Sequence, residues 1–159
     1  GVELVIQSQF MSENQREEFL EMFEEERDHP MLGFCVMGGV FSEGIDLMGE
    51  KLIGAVIVGT GLPQIGTQRE ILRQYYDKKG ADGFDYAYRY PGMNKVLQSA
   101  GRVIRTQEDT GIILLLDERF AGKDYRNLFP AEWSDRGNCT LNTVEEQLGS
   151  FWNRIRSKP

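Results

Sequence analysis

The sequence predicts an α/β fold with a mostly parallel sheet and helices on both faces. Short apolar runs alternate with longer amphipathic stretches along the chain, which is the order expected when strands are joined by helices. The apolar runs are of strand length, as in buried parallel strands. With 159 residues and 40% hydrophobic side chains, the chain is long enough to form one domain, residues 1–159, with its own core.

The predicted strands and helices follow one another in order. Apolar runs predict strands at residues 2–7, 31–37, 51–58 and 111–117. Amphipathic stretches predict helices that begin near Ser12, Thr67, Asn94 and Thr143. After Ser12 and after Thr143, a Gln or Glu follows three residues later, which is typical of a capping box. Cys35 lies in the second apolar run and is predicted to be a buried, reduced thiol.

An aromatic stretch precedes the third predicted helix. It contains Phe84, Tyr86, Tyr88 and Tyr90, with Arg89 among them. Aromatic rings beside a basic residue can stack on nucleic-acid bases. The same rings can instead pack this segment onto the core, and the sequence favours packing while leaving stacking open.

The segment Gln98–Arg105 has two contrasting faces if it is helical. At about 100° per residue, Gln98, Arg102 and Arg105 fall within roughly 60° of one another, and Gly101 lies at the edge of that face. The opposite face is apolar and consists of Val96, Ala100, Val103 and Ile104. Two guanidiniums and an amide on one face suit an anion with several oxygens, such as a triphosphate. The alternative is the solvated face of an ordinary amphipathic helix.

A second polar segment, residues 40–47, follows the Gly38–Gly39 pair and reads Val-Phe-Ser-Glu-Gly-Ile-Asp-Leu. It is interpreted as a strand-to-turn element whose backbone amides and carboxylates face a cleft; the alternative is a turn with two exposed acids. Two nearby glycine patterns do not qualify as nucleotide loops. The pattern ending in Gly49-Glu50-Lys51 lacks a lysine directly after the glycine, and Gly59-Thr60-Gly61 lacks the third glycine.

Together the two segments resemble a known motor family. Gln98-x-x-Gly101-Arg102-x-Ile104-Arg105 is similar to the sixth motif of superfamily 2 helicases. Its continuation through Asp109, Gly111, Asp117, Arg119 and Phe120 resembles the DinG/XPD branch, and residues 41–46 resemble the fifth motif of that branch. The resemblance implies the second, C-terminal motor domain of a DinG/XPD-family ATP-dependent DNA helicase of the DNA-repair type. The implied fold is a three-layer RecA-like domain, truncated at its N-terminus.

The resemblance also implies roles for individual residues. Arg102 and Arg105 would be arginine fingers that act on ATP bound by a different domain. Gln98, Gly101 and Asp46 would contact the nucleotide, with Asp46 bonded to its ribose. The residues implied to couple the nucleotide cleft to the DNA track are Ser42, Glu43 and Gly44.

The implied cofactors are ATP and Mg²⁺, shared with a first motor domain. The sequence has no phosphate loop, no acidic motif for Mg²⁺ and no set of four cysteines for an iron–sulfur cluster. The expected partners are that first motor domain and single-stranded DNA, whereas a net charge of −7 argues against nonspecific nucleic-acid binding by the whole surface. No apolar run approaches the roughly 20 residues of a membrane span. The expectation is therefore a cytoplasmic protein, nucleoid-associated in a bacterium, that does not contact a membrane.

Two other functions remain open at this stage. The chain could be a motor-derived binding module that has lost catalysis. It could also be a self-contained nucleotide-binding α/β enzyme, for which tight nucleotide binding by this chain alone would be diagnostic.

Overall fold

The computed structural model describes residues 1–39, 51–104, 106 and 109–157. In these ranges the strands are β1 (Glu3–Ile6), β2 (Met31–Phe34), β3 (Gly54–Val58) and β4 (Ile112–Leu116). The α-helices are α1 (Glu13–Glu21), α2 (Thr67–Lys78), α3 (Tyr90–Ala100), α4 (Lys123–Arg126) and α5 (Val144–Arg156). A π-helical segment (Asp85–Arg89) runs directly into α3, and 3₁₀ helices cover Glu118–Ala121 and Ala131–Ser134. Residues 1–127 and 128–159 form two compact units; the prediction of one domain stays a prediction.

Both strand pairs in the described residues are parallel, as the sequence predicts. β1 pairs with β2 from Glu3 opposite Met31, and β3 pairs with β4 from Gly54 opposite Ile112. Each pair is joined by a connection that contains at least one helix, which is what parallel strands require. The α/β class with parallel strands is therefore confirmed.

Helix α1 begins as predicted, with a complete capping box. The Ser12 hydroxyl oxygen accepts a hydrogen bond from the Gln15 backbone N–H at 3.3 Å, and the Gln15 side-chain oxygen accepts one from the Ser12 N–H at 2.9 Å. The helix buries Phe19 against Val5 of β1. The partly buried residues around this pair are Met11, Leu20, Met22, Phe23, Met31 and Leu52. Burial of a side chain such as Phe19 contributes about 1.5–3 kcal/mol, so α1 is held mainly by this small core.

The apolar face predicted for the third helix is largely correct. Val96 is 0% exposed, Ala100 1% and Val103 3%, and they are buried with Ile57 of β3. Ile104, which was predicted to share this face, is 44% exposed. That prediction is wrong because the helix has already ended at Ala100, so helical periodicity no longer applies at residue 104.

Two further sequence predictions need correction. Cys35 is exposed rather than buried, because β2 ends at Phe34 and Cys35 lies beyond the paired strand. Neighbouring atoms still exclude some water from the Cys35 thiol, and this desolvation raises its pKa. Thr143 does occupy the N-cap position of α5, but its side chain makes no capping bond to the helix. Its backbone is already in the helical region, and its hydroxyl accepts from the Thr140 N–H at 3.0 Å instead. Among the described helices, none is long and apolar enough to cross a membrane.

Candidate functional site

Helix α3 lies directly against the turn that follows β3, and two glycines allow this contact. A Cβ atom built on Gly92 would lie 2.6 Å from the carbonyl oxygen of Thr60, and one built on Gly61 would lie 2.7 Å from the carbonyl oxygen of Gly92. Gly61 also has φ of +65°, in the left-handed region that favours glycine. The two backbones therefore meet at the carboxyl end of β3, the edge at which open α/β sheets place their ligand sites.

The carboxyl end of β2 reaches the same place. The Met37 sulfur lies 3.2 Å from a Cβ built on Gly61. Beside it, the Gln7 side-chain oxygen, just past β1, accepts a hydrogen bond from the Val36 N–H at 2.8 Å. The strand ends of β1, β2 and β3 thus converge on one side of α3, although these strands belong to two separate pairs.

The structure places three of the predicted site residues at the C-terminal end of α3. Gln98 is exposed in the last turn of the helix, Gly101 is the C-cap, and Arg102 follows with a half-buried side chain. The prediction that the helix continues through Arg105 is wrong. After Ala100 the chain makes tighter turns, in which the Arg102 N–H donates to the Ser99 carbonyl at 3.3 Å and the Val103 N–H donates to the Ala100 carbonyl at 3.1 Å.

Because α3 ends at Ala100, Gly101 occupies the C-cap position of the helix. Its φ is −66°, so its backbone does not require glycine, and the nearest atom to an added Cβ is the Leu97 carbonyl oxygen at 3.2 Å. Gly101 therefore ends a helix and does not lie in the interior of one. Its exposed position still leaves room beside Gln98 and Arg102.

The remaining predicted site residues lie outside the described residues. They are Arg105 of the Gln98–Arg105 segment and, in the 40–47 segment, Ser42, Glu43, Gly44 and Asp46. Their predicted roles stay predictions.

An ion pair lies at the carboxyl end of β4. The Asp117 carboxylate accepts from Nε of Arg119 at 2.8 Å and from Nη2 at 2.7 Å, and it also accepts from the Arg119 backbone N–H at 2.9 Å. The Arg119 side-chain hydrogen bonds, followed by the backbone bond and the charge of the guanidinium, hold the pKa of Asp117 below its ordinary value of 3.8. The carboxylate thus caps the 3₁₀ helix that carries Phe120, which is buried.

Replacement of Asp117 by asparagine should make the stability of the chain less dependent on acid pH. Asparagine keeps an acceptor at the cap position but loses the charge. Because the folded-state pKa of Asp117 is depressed, the stabilisation is present above the unfolded-state pKa and is lost as pH falls through the folded-state value. Arg119 is 47% exposed, so we expect a loss of at most about 1 kcal/mol near neutral pH. Urea unfolding of both proteins should show this difference vanish in acid; a difference that persists there would show that the charge is not responsible.

The aromatic stretch packs within the protein. Tyr88 is 4% exposed, and its hydroxyl donates to Glu70 of α2 at 2.6 Å. This hydrogen bond lowers the pKa of Glu70 and raises that of Tyr88. Tyr86 is 40% exposed, but its ring stacks on Tyr76 with centroids 3.9 Å apart. The contacts favour the packing interpretation over base stacking.

Arg89 ties this stretch to the region after β4. Its guanidinium pairs with Asp85 and lies 3.5 Å from the Asp124 carboxylate. It also lies over the rings of Phe84 and Tyr125, at 5.5 and 5.6 Å from their centroids. A π-helical turn is rare and often marks a functional region. Here the π-helical turn leads directly into α3, and the contacts of Arg89 hold that turn in place.

Two residues on α3 are not predicted from the sequence. The contact of Gly92 with the turn after β3 depends on the topology. Lys95 has no motif to identify it, although it lies three residues before Gln98 and so on the same helix face. Within the described ranges, no three His, Cys, Asp or Glu side chains gather where they could hold a metal ion.

Comparison with known families identifies this arrangement. The family described as "Helicase C-terminal domain" matches residues 1–136. The chain belongs to this family. The matched residues include α3 with Gln98 and Arg102, and the Asp117–Arg119 pair. They also include the contact of Gly92 with the turn after β3, here called the site edge.

Three related proteins indicate the type of helicase to which the chain is similar. The chain is 31% identical over 105 residues to the probable ATP-dependent helicase MJ0942 of Methanocaldococcus jannaschii, covering 60% of this chain and 16% of that protein. It is 34% identical over 89 residues to the ATP-dependent DNA helicase DinG of Photobacterium profundum, covering 55% and 13%. It is 31% identical over 101 residues to the general transcription and DNA repair factor IIH helicase subunit XPD of Dictyostelium discoideum, covering 62% and 13%. The chain thus spans about an eighth to a sixth of the length of these relatives.

A solved structure of an XPD helicase has the same fold. It aligns with a TM-score of 0.60 over 78% of this chain and 22% of its own, at 23% sequence identity. The prediction of a RecA-like helicase C-terminal domain of the DinG/XPD type is confirmed.

Proposed function

We propose that this chain is the second motor domain of an ATP-dependent DNA helicase, and that Arg102 and Arg105 contact the phosphates of ATP bound by the first motor domain. The observation that carries the proposal is the end of α3. One face of the helix is buried through Val96 and Ala100, while Gln98 is exposed at its C-terminal end and Arg102 follows directly. Two of the relatives named above, MJ0942 and DinG, are described as ATP-dependent helicases, which supports nucleotide as the ligand.

The donors at the end of α3 suit a nucleotide phosphate. Gln98 offers amide N–H groups and Arg102 a planar guanidinium, whose fork matches two phosphate oxygens. These donors form only one wall of a nucleotide site, since the sequence has no phosphate loop. ATP with Mg²⁺ would therefore be held mainly by the first motor domain. The ATP would supply the phosphoanhydride bond whose hydrolysis drives movement.

The proposed contribution of this domain to ATP hydrolysis is positive charge. Two guanidiniums beside the nucleotide phosphates would stabilise negative charge that builds up during phosphoryl transfer. Arginines with this role raise rates by roughly 10³- to 10⁵-fold in related systems. Arg105 and the ribose contact of Asp46 belong to this proposal by resemblance.

The proposed coupling to DNA is supported by the order of residues that follow β2 in the chain. The Gly38–Gly39 turn at the end of β2 leads into Ser42, Glu43 and Gly44, and the same turn lies beside α3. We infer that a movement of α3 toward ATP is passed through this turn to a track for single-stranded DNA. Alternating grip on that track would then move the protein along the strand.

The test uses the full-length parent protein and this chain, purified separately. The parent should hydrolyse ATP, faster when single-stranded DNA is added, and should unwind a DNA duplex. The chain alone should show no Mg²⁺-dependent ATP turnover and only millimolar affinity, which corresponds to about −4 kcal/mol.

Two outcomes would contradict the proposal. Micromolar nucleotide binding and turnover by the chain alone would show a self-contained enzyme. A parent protein that binds DNA but neither hydrolyses ATP nor unwinds would show a motor-derived binding module.

A further inference from the structure

Lys95 of α3 lies along the glycine turn at the end of β2. A Cβ atom built on Gly38 would lie 3.0 Å from Cδ of Lys95, 3.1 Å from Cε and 3.4 Å from Nζ. Gly38 has φ of +77°, where a residue with a side chain would be strained. The distal half of the lysine side chain therefore lies against the backbone of Gly38.

The Lys95 ammonium has no counter-charge within the part of the chain that the structure describes. Lys95 is half-buried, yet it forms no hydrogen bond or ion pair with a described residue. Two other half-buried cations are paired, Arg89 with Asp85 and Arg27 with Glu3, whereas Arg16 forms no ion pair with a described residue. The polar side chain near this turn is Gln7, a neutral amide whose nitrogen would lie 3.8 Å from a Cβ on Gly39. A ligand anion would supply the counter-charge that no described residue provides.

Lys95 extends the face that carries the proposed phosphate contacts. Lys95 and Gln98 are three residues apart on α3, which places them on one side of the helix, about 4.5 Å apart along its axis. Arg102 follows beyond the end of the helix. All three side chains can donate N–H groups, and the opposite side of α3 is closed by core packing. Donors grouped in this way suit a ligand with several phosphate oxygens.

We propose that Lys95 binds a phosphate oxygen, supplied either by the ATP triphosphate or by the backbone of single-stranded DNA. The proposal rests on the proposed function, because both phosphates are ligands of a helicase motor. The position of Lys95 fits both sources: it lies one turn before Gln98 on the nucleotide face, and it touches the turn that leads into residues 42–44. Lys95 acts there as a point charge with three donors, which does not demand the planar geometry of arginine.

The test is Lys95→Met in the full-length parent, which removes the charge and keeps an unbranched apolar stem on Gly38. One arm measures binding of an oligo-dT strand at several salt concentrations without nucleotide. Loss of one DNA phosphate contact should weaken binding and reduce the slope of log K against log salt by about 0.7. The other arm measures the KM for ATP at saturating DNA, which should rise roughly tenfold if the contact is to nucleotide, equal to about 1.4 kcal/mol.

Matched variants separate the proposal from a structural role. Lys95→Arg should restore most of the affected value, since it restores the positive charge. Lys123→Met removes the same charge at an exposed position in α4 and should change neither arm. A Lys95→Met protein that melts normally, with the oligo-dT slope and the KM both unchanged, would overturn the Lys95 proposal while leaving the proposed function intact. A parent protein with no ATP hydrolysis or unwinding would overturn both.

Discussion

Replacing Arg102 with alanine in the full-length parent should lower DNA-stimulated ATP hydrolysis by roughly 10³-fold or more and abolish unwinding. Arg102 is half-buried and lies just past the last turn of α3, whose packed side carries Val96 and Ala100. Its loss removes charge from the proposed phosphate contact and creates no cavity in the core. Because the Arg102 side chain is half-buried, we expect the free energy of unfolding to fall by about 1 kcal/mol or less.

Two control variants make this result specific. Arg102→Lys should recover little activity, because an ammonium cannot span two phosphate oxygens as a planar guanidinium does. Val103→Ala should do the reverse of Arg102→Ala. Val103 is 3% exposed and packs beside Gly111, so its truncation should cost about 2 kcal/mol of stability while activity per folded molecule stays near normal.

The measurements are melting temperature and ATP turnover on the same three proteins. If Arg102→Ala melts early and loses activity only in proportion to the unfolded fraction, the guanidinium is structural. The proposed role of Arg102 would then be wrong, whatever the family resemblance implies.

Local patterns in the sequence predicted much of the fold. The capping box at Ser12 was predictable because both of its hydrogen bonds join residues three apart. The parallel strands were predictable because short apolar runs alternate with helices. At Thr143 the same reasoning identified the N-cap position but not its geometry, since the sequence does not encode that this residue already has helical backbone angles, with φ of −116° and ψ of −11°.

The end of α3 shows where periodicity stops being informative. Val103 is buried three residues after Ala100, as it would be in a continuous helix. A 3₁₀ turn also places residues i and i+3 on the same side, so burial at 103 is compatible with both conformations. The hydrogen bond from the Arg102 N–H to Ser99, rather than to Gln98, distinguishes the two. The sequence pattern therefore predicted which side chains are buried, but not where the helix ends.

Within the candidate site, only the residues that belong to sequence motifs were predictable. Gln98, Gly101 and Arg102 were found because they are close together in the chain and match a family pattern. Lys95 against Gly38, and Gly92 against Thr60, join residues that are more than thirty positions apart. Such contacts depend on how the strands are ordered and on which helix covers their ends, and no local pattern reports either.

The contact between α3 and the turn after β3 leads to the second large expected effect. Gly92→Ala should destabilise the chain by about 2 kcal/mol, because overpacking against fixed backbone typically costs about 1–3 kcal/mol. The added methyl would lie 2.6 Å from the Thr60 carbonyl oxygen and 3.1 Å from the Leu62 nitrogen. These are backbone atoms, so no side chain can rotate away to make room. The general preference of helices for alanine over glycine, about 1 kcal/mol, would offset only part of the cost.

Gly149→Ala is the matched control for Gly92→Ala. Gly149 also lies inside a helix, α5, but nothing comes within 4 Å of a Cβ built there. The same chemical change should therefore stabilise the chain by up to about 1 kcal/mol. Thermal unfolding should show Gly92→Ala melting roughly 4–8 °C lower than the unmodified chain, and Gly149→Ala melting a few degrees higher. Equal and positive shifts for both variants would show that α3 does not lie against the β3 turn, and the site edge as described would then be incorrect.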